Sequence, residues 1–483
     1  MHQPTSQARP GAVVGVLALA GITAAVMQTL VVPLIAELPQ ILGTSASNAS
    51  WVITATLLAA AVATPVAGRL GDLYGKRPML LISTVPLMLG SVVAALSSSV
   101  VPMIIGRGLQ GLGMGVIPLG ISLLRDVIPA EKLTTSIALI SASMGIGAAL
   151  GLPIAAAVAE NASWRALFWA AAVLSALVAL AIRTFVPATP RTAEPGRFDP
   201  VGAVGLGVGL VSLLLAVSKG ADWGWSSGTV LGLFAAAAVV LLAWGWWELR
   251  TPEPLVDLRV TARPVVLLTN LASAVVGFAM YAQSLILPQL LQLPEATGYG
   301  LGQSMVAMGL WMAPAGLMMM VVAPIGGRLT AARGPKTTLV TGSLVIAAGY
   351  ASSMALLGST WGLLIVTLIT SAGVGFAYGA MPALIMGAVP QSETASANSF
   401  NTLMRSIGTS VAAAVVGVVL AQMTVDFGGH ALPSEDGFRT GLLIGCGVAL
   451  LAAAIASFIP LRKDAGEADR DGAGAPVEAA AAH

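Results

Sequence analysis

The feature that most constrains this chain is a succession of long apolar runs separated by short polar or glycine- and proline-rich breaks. Most runs match the roughly 20 residues that an α-helix needs to cross a bilayer core of about 30 Å. They are too long for barrel strands and do not alternate apolar with polar residues, so the sequence predicts helices. We place fourteen transmembrane helices at 12–40, 50–69, 79–97, 101–124, 135–159, 165–187, 201–218, 228–248, 264–291, 302–327, 338–357, 361–386, 397–423 and 440–460.

The low charge supports an all-α integral membrane protein in contact with the lipid bilayer. Only 9% of the residues are charged, whereas a soluble protein carries about 25%. The net charge of +2 gives no reason to expect a nucleic-acid partner. One cysteine, Cys446, cannot form an internal disulfide, and three scattered histidines cannot build a metal cluster. We therefore predict no metal site and no enzyme that depends on one.

The distribution of lysine and arginine predicts the orientation. With a cytoplasmic N-terminus, 18 of the 23 basic residues fall in inner segments and only Arg165, Lys219 and Arg439 in outer loops, while Arg107 and Arg405 fall inside spans. Cytoplasmic loops of membrane proteins carry such an excess of positive charge. We predict a multi-pass protein of the cytoplasmic membrane with both termini in the cytoplasm.

A weak internal repeat predicts two related halves. "GRLGDLYGKR" at 68–77 is echoed by "GRLTAARGPK" at 327–336, and "VIPAEKLTTS" at 127–136 by "AVPQSETASA" at 388–397, at nearly the same offset. Halves repeated in one orientation place a central site at their interface. The predicted division is a six-helix bundle at 1–189, two inserted helices at 190–262, a pseudo-symmetric six-helix bundle at 263–461 and a disordered cytoplasmic tail at 462–483.

The stretch "GRLGDLYGKRP" at 68–78 places four charges in the predicted loop between spans 2 and 3. A simple cytoplasmic anchor accounts for Lys76 and Arg77 but not for Asp72. Glycines at 68, 71 and 75 suit a tight turn with close helix approach.

These residues resemble the major facilitator superfamily, and within it the bacterial, actinobacterial-type branch of fourteen-span drug:proton antiporters. The resemblance rests on "GRLGDLYGKRP", on "RGLQGLGMG" at 107–115, on "GIGAALGLP" at 145–153 and on "NTLMRSIG" at 401–408. It implies a monomer that works by alternating access, uses the proton gradient in place of a cofactor, and moves small organic molecules in exchange for protons.

The resemblance also implies a gate at the inner ends of the helices. Asp72 would lock the span 2–3 loop through a charge pair with a cation such as Arg125, at the inner end of span 4. The alternative is a solvated surface turn. The predicted gate residues are Arg69, Asp72, Lys76, Arg77 and Arg125.

Proton coupling needs ionisable groups inside the bundle. Arg107 lies about 8 Å from the outer end of span 4, so it should face the interior and have a partner, unless it extends to the outer surface. The resemblance ties Arg107 to proton coupling. Gln28 lies where the family commonly has an acid, which leaves Glu160 and Glu37 as candidates, with solvated helix-end acids as the alternative.

Span 5 carries Gly147, Gly151 and Pro153. The two glycines form a small-xxx-small pair that permits close helix approach, and the proline removes a backbone hydrogen bond. The resemblance implies an antiporter hinge here, while plain helix packing is the alternative.

A cavity lined by amides, aromatic side chains and methionines suits bulky amphipathic molecules, although the same stripes also occur in simple helix packing. Arg405 could instead extend to the membrane surface. The predicted cavity residues are Gln28, Thr56, Gln110, Tyr281, Gln289, Trp311, Asn401 and Arg405.

The sequence thus predicts proton-coupled efflux of hydrophobic or amphipathic compounds such as drugs and antibiotics. One alternative is a carrier for a specific metabolite or lipid-like precursor without proton coupling, which the missing span 1 acid favours. Another is a receptor or scaffold that transports nothing, which the duplicated gate loop argues against.

Overall fold

The computed structural model describes residues 10–31, 34, 38–188, 196–427 and 430–460. The long helices are α1 (Pro10–Thr29), α3 (Ala46–Tyr74), α4 (Lys76–Leu96), α5 (Val100–Leu112), α6 (Val116–Val127), α7 (Ala130–Asn161), α8 (Arg165–Phe185), α9 (Pro200–Trp223), α10 (Gly228–Glu248), α12 (Pro264–Gln292), α14 (Pro314–Leu356), α15 (Thr360–Ala388), α16 (Thr394–Gln422) and α17 (Glu435–Ser457). Three short helices join them: α2 (Leu38–Ile41), α11 (Leu258–Thr261) and α13 (Met305–Met312).

The described residues contain 13 helical segments long and apolar enough to cross a membrane. One of them, Met305–Leu356, has 52 residues, more than twice the length that a single crossing needs. It is interrupted at Gly334, whose φ of 82° and ψ of 158° are not helical. The two parts, 305–333 and 335–356, are separate crossings, so the structure confirms the predicted fourteen-helix, all-α membrane fold.

The first predicted span, 12–40, is not one helix. Helix α1 ends at Thr29, Leu30 and Val31 form a turn, and the short α2 begins only at Leu38. The sequence explains the early end, because Pro33 lacks the amide hydrogen that a continuing helix would use. Residues 32–33 and 35–37 lie outside the described part of the chain, and Glu37 is among them.

The stretch predicted to be the span 2–3 loop is almost entirely helical. Helix α3 continues to Tyr74 and α4 begins at Lys76, so Gly75 alone makes the turn, with a φ of 99°. Gly334 holds the matching position of the second repeat and also has a positive φ. The two halves therefore reverse direction at equivalent glycines.

Replacing Gly75 by alanine should destabilise the protein, because this backbone conformation costs a residue with a Cβ about 1–3 kcal/mol. A matched control is Gly232→Ala, since Gly232 is helical and a Cβ there meets nothing within 4 Å. We expect a lower apparent unfolding temperature for Gly75→Ala in detergent and an unchanged or higher one for the control. Equal unfolding temperatures in both variants would contradict the assignment.

The inserted helices α9 and α10 pack on each other and reach both halves. Leu206, Leu210 and Leu214 of α9 form a small apolar core with Ala61 of α3 and Leu403 of α16. Two larger clusters of buried side chains lie mainly in the front and back portions of the chain, and a further small one joins Val260 and Val266 to Ile385 and Val389. The domain boundaries at 189, 262 and 461 remain predictions.

Between α16 and α17 the chain forms a small antiparallel pair of strands, β1 (Thr424–Phe427) and β2 (His430–Pro433). The sequence analysis places only a loop here. The Tyr299 hydroxyl donates to the Pro433 carbonyl at 2.6 Å and connects this pair to the segment after α12.

Candidate gate and translocation site

Asp72 binds the N-terminus of a helix that belongs to the other half. Its side chain is fully buried, and its two carboxylate oxygens accept hydrogen bonds from the backbone N–H groups of Ala395 at 3.1 Å and Ser396 at 2.8 Å. These amides belong to the first turn of α16, where N–H groups lack helical partners and the helix dipole favours negative charge. Asp72 therefore joins α3 to α16.

Glycines let the two helices approach closely enough for this contact. A Cβ on Gly68 would be 2.6 Å from the Ser399 Cβ and 2.7 Å from the Ala395 carbonyl oxygen. Gly71, one turn further on, faces Leu119 of α6 with no room for a side chain. The glycines in this stretch thus serve helix contact, while only Gly75 makes the turn.

The end of α6 makes a second set of contacts with the same region. Arg125 donates to the Thr394 hydroxyl at 2.7 Å and to the Val389 carbonyl at 3.2 Å, and Gln391 donates to Asp126 at 3.1 Å. Together with Asp72 and Lys76, these residues form what we call the gate cluster: Asp72, Lys76, Arg125, Asp126 and residues 389–396. It connects the two halves at one end of the bundle.

The expected pair of Asp72 and Arg125 does not form. Both oxygens of Asp72 accept from backbone amides, and Arg125 binds the connection between α15 and α16 directly. The buried ion pair of the cluster is instead Lys76 with Asp126, at 2.7 Å. Asp126 is a gate residue that the sequence analysis missed, although it is the nearest acid to Arg125 along the chain.

Of the two other predicted gate residues, only Arg69 lies beside the gate cluster. Arg77 donates to the Arg183 carbonyl at 2.7 Å and so binds the end of α8, within the first half. Arg69 lines a cavity together with Glu253, Glu393 and Ser396, and its buried Nε has no hydrogen-bond partner.

Arg107 lies inside the first half, with only 1% of its surface exposed. Its Nη1 donates to the Met27 carbonyl and to the Gln110 side chain, both at 2.6 Å, and its Nε donates to the Val52 carbonyl at 3.3 Å. The guanidinium thus joins α1, α3 and α5. It faces the interior, as its depth in the span predicts.

No carboxylate compensates the Arg107 charge among the described residues, whose three ion pairs are Lys76–Asp126, Lys219–Asp222 and Arg439–Glu435. Two predicted cavity residues, Thr56 and Gln110, form hydrogen bonds with Arg107 instead. The Thr56 hydroxyl donates to the Arg107 carbonyl at 3.1 Å, and Gln110 continues the network to Ser91 at 2.8 Å. Thr56 and Gln110 therefore position Arg107 and do not line the central cavity described below.

The predicted acidic partners in proton coupling stay predictions. Glu37 lies outside the described residues, and Glu160 belongs to the last turn of α7 without a described side chain. Gln28 is exposed, and its amide nitrogen lies 3.5 Å from the Met114 sulfur.

The glycines of α7 lie against helices of both halves. A Cβ on Gly147 would be 2.8 Å from the Ala25 Cβ in α1, and Gly151 faces Thr29 of the same helix. On another face of α7, the Cα of Pro153 would be 3.0 Å from a Cβ on Gly309 in α13. Helix α7 runs through Pro153 to Asn161, so the hinge role stays a prediction, while the close packing is observed.

A central cavity lies between the two halves. The Arg405 guanidinium lies over the Tyr378 ring, 4.6 Å from its centroid, and 3.5 Å from the Thr402 hydroxyl. Such stacking on an aromatic face stabilises a cation away from water. The lining residues are Pro118, Ile121, Ser141 and Met144 from the first half and Tyr378, Pro382, Asn398, Asn401, Thr402 and Arg405 from the second.

Of the predicted cavity residues, the structure places Asn401 and Arg405 in this lining. Three others lie elsewhere: Tyr281 packs against the core of the second half, Gln289 is exposed and donates to its own helix, and Trp311 stacks edge-on against Trp361. Tyr378 could have been predicted as a cavity residue, because it is a tyrosine inside an apolar span. Nothing in the pattern distinguishes Ser141 or Met144 from packing residues.

Comparison with known families agrees with this architecture, since residues 17–413 match the model of the Major Facilitator Superfamily. The chain belongs to the major facilitator superfamily. The match runs from α1 through the inserted helices into α16.

Proteins named as bacterial exporters are among the relatives of this chain. It is 29% identical over 446 residues to the tetracenomycin C resistance and export protein of Streptomyces glaucescens, covering 88% of this chain and 79% of that one. It is 26% identical over 390 residues to the multidrug transporter protein MdtP of Bacillus subtilis, covering 79% and 71%. Against an uncharacterized MFS-type transporter of Mycobacterium tuberculosis, Rv1877, identity is 29% over 418 residues, and the match spans 86% of this chain but 60% of that protein.

Solved structures support the fold. The proton:xylose symporter XylE matches with a TM-score of 0.66 at 15% identity, over 93% of this chain and 96% of that one. The human organic anion transporter MFSD10 matches with a TM-score of 0.63 at 16% identity, over 94% of this chain and all of that one.

Proposed function

We propose that this transporter exports hydrophobic or amphipathic organic compounds across the cytoplasmic membrane by alternating access, as a monomer driven by the inward proton gradient. The observation that carries the proposal is the gate cluster. It joins the two halves at one end of the central cavity through contacts that can break without unfolding either half.

The gate cluster faces the cytoplasm in this proposal. The excess of lysine and arginine on that side supports the orientation. With Asp72 bound to α16, the cavity is closed toward the cytoplasm, and loss of this contact together with those of Arg125 lets the halves move apart. Two packings of the same helices then alternate, which is how a small change at a gate becomes a large one at the cavity.

The charge of the interior favours neutral or anionic aromatic substrates. Arg107 and Arg405 are the mid-span cations of the described helices, whose carboxylic acids all lie within a few residues of a helix end. A cation such as Arg405 beside Tyr378, with Met144 and Ile121 opposite, offers an anion site next to an apolar surface. Relatives named as a tetracenomycin C resistance and export protein and as a probable actinorhodin transporter support export of an organic compound.

Proton coupling in this proposal depends on ionisable groups inside or next to the bundle. Arg107 is held by carbonyl oxygens, and the roles of Glu160 and Glu37 rest on the family resemblance. Gln28, at the position of the usual acid, cannot bind and release a proton. This single observation favours the second candidate function, a carrier for a metabolite or lipid-like precursor that needs no proton gradient.

Purified protein in proteoliposomes, with an imposed pH gradient, tests both candidates. The panel should contain matched cationic, neutral and anionic aromatic dyes and antibiotics. We expect uphill movement of neutral and anionic members, reduced about tenfold for anions in Arg405→Gln, a loss that corresponds to about 1.4 kcal/mol of binding or transition-state free energy. Arg439→Gln, which removes an exposed cation paired with Glu435, is the control.

Movement that proceeds equally without the gradient would support the second candidate. Transport restricted to cationic compounds would overturn the substrate class, and transport of nothing in the panel would contradict drug export altogether.

A further inference from the structure

Two buried carboxyl groups meet where the inserted helices begin and end. Glu248 is the last residue of α10 and is 2% exposed, and Asp199 precedes α9 and is 7% exposed. A Cβ on Gly202 would be 2.5 Å from the Glu248 Oε1 and closer still to the Asp199 Oδ2. The two oxygens therefore border the same small space beside Gly202.

The hydrogen bonds at this place leave one carboxyl oxygen without a partner. Asp199 accepts from the Gly202 amide and the Trp247 indole, both at 2.9 Å. The Glu248 Oε2 accepts only a long bond, 3.4 Å, from the Val256 amide, and its buried Oε1 accepts none. The buried indole N–H of Trp244 faces the same carboxylate and is also without a partner.

No cation balances the two acids among the described residues, since neither takes part in an ion pair there. Two adjacent buried carboxylates repel each other, so a proton on Glu248, whose Oε1 has no partner, stabilises this arrangement. Of the other charged groups at this end, Arg250 lies over Trp246, Arg259 donates to the Leu249 carbonyl, Asp257 accepts from the first turn of α11, and Glu253 accepts from the Arg197 amide. Arg69, whose buried Nε has no hydrogen-bond partner, and Glu393 line the neighbouring cavity together with Leu255 and Val256.

The acid pair is connected to the gate cluster through the segment after α10. Glu248 accepts from the Val256 amide, and the neighbouring Leu255 carbonyl accepts from the Ser396 hydroxyl at 3.2 Å. The amide of the same Ser396 donates to Asp72. Leu255 is fully buried, so the segment cannot shift at Glu248 without changing its contact with α16.

We propose that Glu248 and Asp199 form a proton-binding site that makes the gate cluster respond to cytoplasmic pH. A proton on Glu248 removes the repulsion between the two carboxyl groups, keeps α9 and α10 together and holds the 255–256 segment on α16, which favours the closed gate. Release of that proton to the cytoplasm leaves two like charges, which separate and weaken the hold on α16. The inference rests on the proposed function in one respect, namely that the gate opens toward the cytoplasm.

The test measures gate opening directly. The protein carries Thr402→Cys, a cavity position, with Cys446→Ser to remove the native thiol, and is reconstituted so that a membrane-impermeant thiol reagent reaches the cytoplasmic side. In the parent protein we expect the labelling rate to rise as cytoplasmic pH rises. Glu248→Gln should abolish this rise and keep labelling at the low-pH level, a difference of about tenfold for a coupling of 1.4 kcal/mol.

Asp199→Asn is a second variant that should fold, because asparagine also caps helix N-termini well. It should flatten the pH dependence in the same way. Glu131→Gln removes an exposed acid at the start of α7 and should behave like the parent. Infrared spectroscopy of the membrane-embedded protein should show a protonated carboxyl band that titrates in the parent and in Glu131→Gln and is lost in Glu248→Gln.

A pH dependence that survives in both Glu248→Gln and Asp199→Asn would overturn the inference, as would an unchanged infrared band. Opening controlled by sodium concentration at constant pH would also overturn it, in favour of a metal cation. If the parent transports substrate but the thiol introduced by Thr402→Cys is labelled only from the outside, the orientation in the proposed function is wrong. Protein without the cysteine and serine substitutions that moves no substrate contradicts that function itself.

Discussion

Asp72→Asn is expected to lower uphill transport by about tenfold to a hundredfold, because a hydrogen bond to a charged group contributes about 1.5–3 kcal/mol. The asparagine has the same size but presents one oxygen, and an NH2 group faces the second amide. The closed gate loses stability relative to the open one. Transport assays in proteoliposomes measure the loss, and thiol labelling of Thr402→Cys from the cytoplasmic side should become faster.

Asp436→Asn is a matched control for that variant. Asp436 also lies in the first turn of a helix, α17, but is exposed and remains within one half. It should transport at close to the parent rate. Slower labelling in Asp72→Asn, or a loss as large in Asp436→Asn, would show that the Asp72 contact does not hold the gate closed.

Arg107→Gln should abolish uphill transport almost completely, by about a hundredfold or more, since it leaves the buried carbonyls of Met27 and Val52 without a donor at about 1–3 kcal/mol each. The apparent unfolding temperature should fall as well. Arg107→Lys keeps the positive charge, but the lysine ammonium group cannot reach the three acceptors that the planar guanidinium binds. We therefore expect partial activity. Uphill transport, downhill exchange and thermal unfolding separate these effects.

A role in coupling and a role in folding predict different results for Arg107→Lys. If the charge itself matters for coupling, this variant should keep downhill exchange and lose part of the uphill rate. If the arginine only supports the packing of α1, α3 and α5, the two rates should fall together. Arg439→Gln, on the surface, should leave both rates unchanged, and full uphill activity in Arg107→Gln would remove Arg107 from the mechanism.

The sequence could predict those features that depend on length, depth and repetition. Run lengths gave the number of crossings, and the cost of a charge in lipid predicted the inward direction of Arg107. The shared pattern around Gly75 and Gly334 indicated the duplication. The end of α1 at Thr29 was missed because hydropathy continues past Pro33 while helical hydrogen bonding cannot.

Partners across the interface were harder to predict. Asp72 binds backbone amides, which every residue other than proline carries, so no side chain marks Ala395 and Ser396 as its binding site. Cavity membership depends on the rotation of each helix about its axis, which explains why Thr56 and Trp311 were misplaced. Glu248 and Asp199 look like ordinary solvated acids in the sequence, because only the packing of α9 on α10 buries them.

The backbone character of the Asp72 contact has a consequence for evolution. Most substitutions at 395 and 396 leave the backbone amides in place. Asp72 can therefore stay the same across related chains while the side chains at 395 and 396 differ. Methods that infer contacts from correlated substitutions should fail to detect this pairing even in a deep alignment. They should still detect Lys76 with Asp126, where each charge depends on the identity of the other.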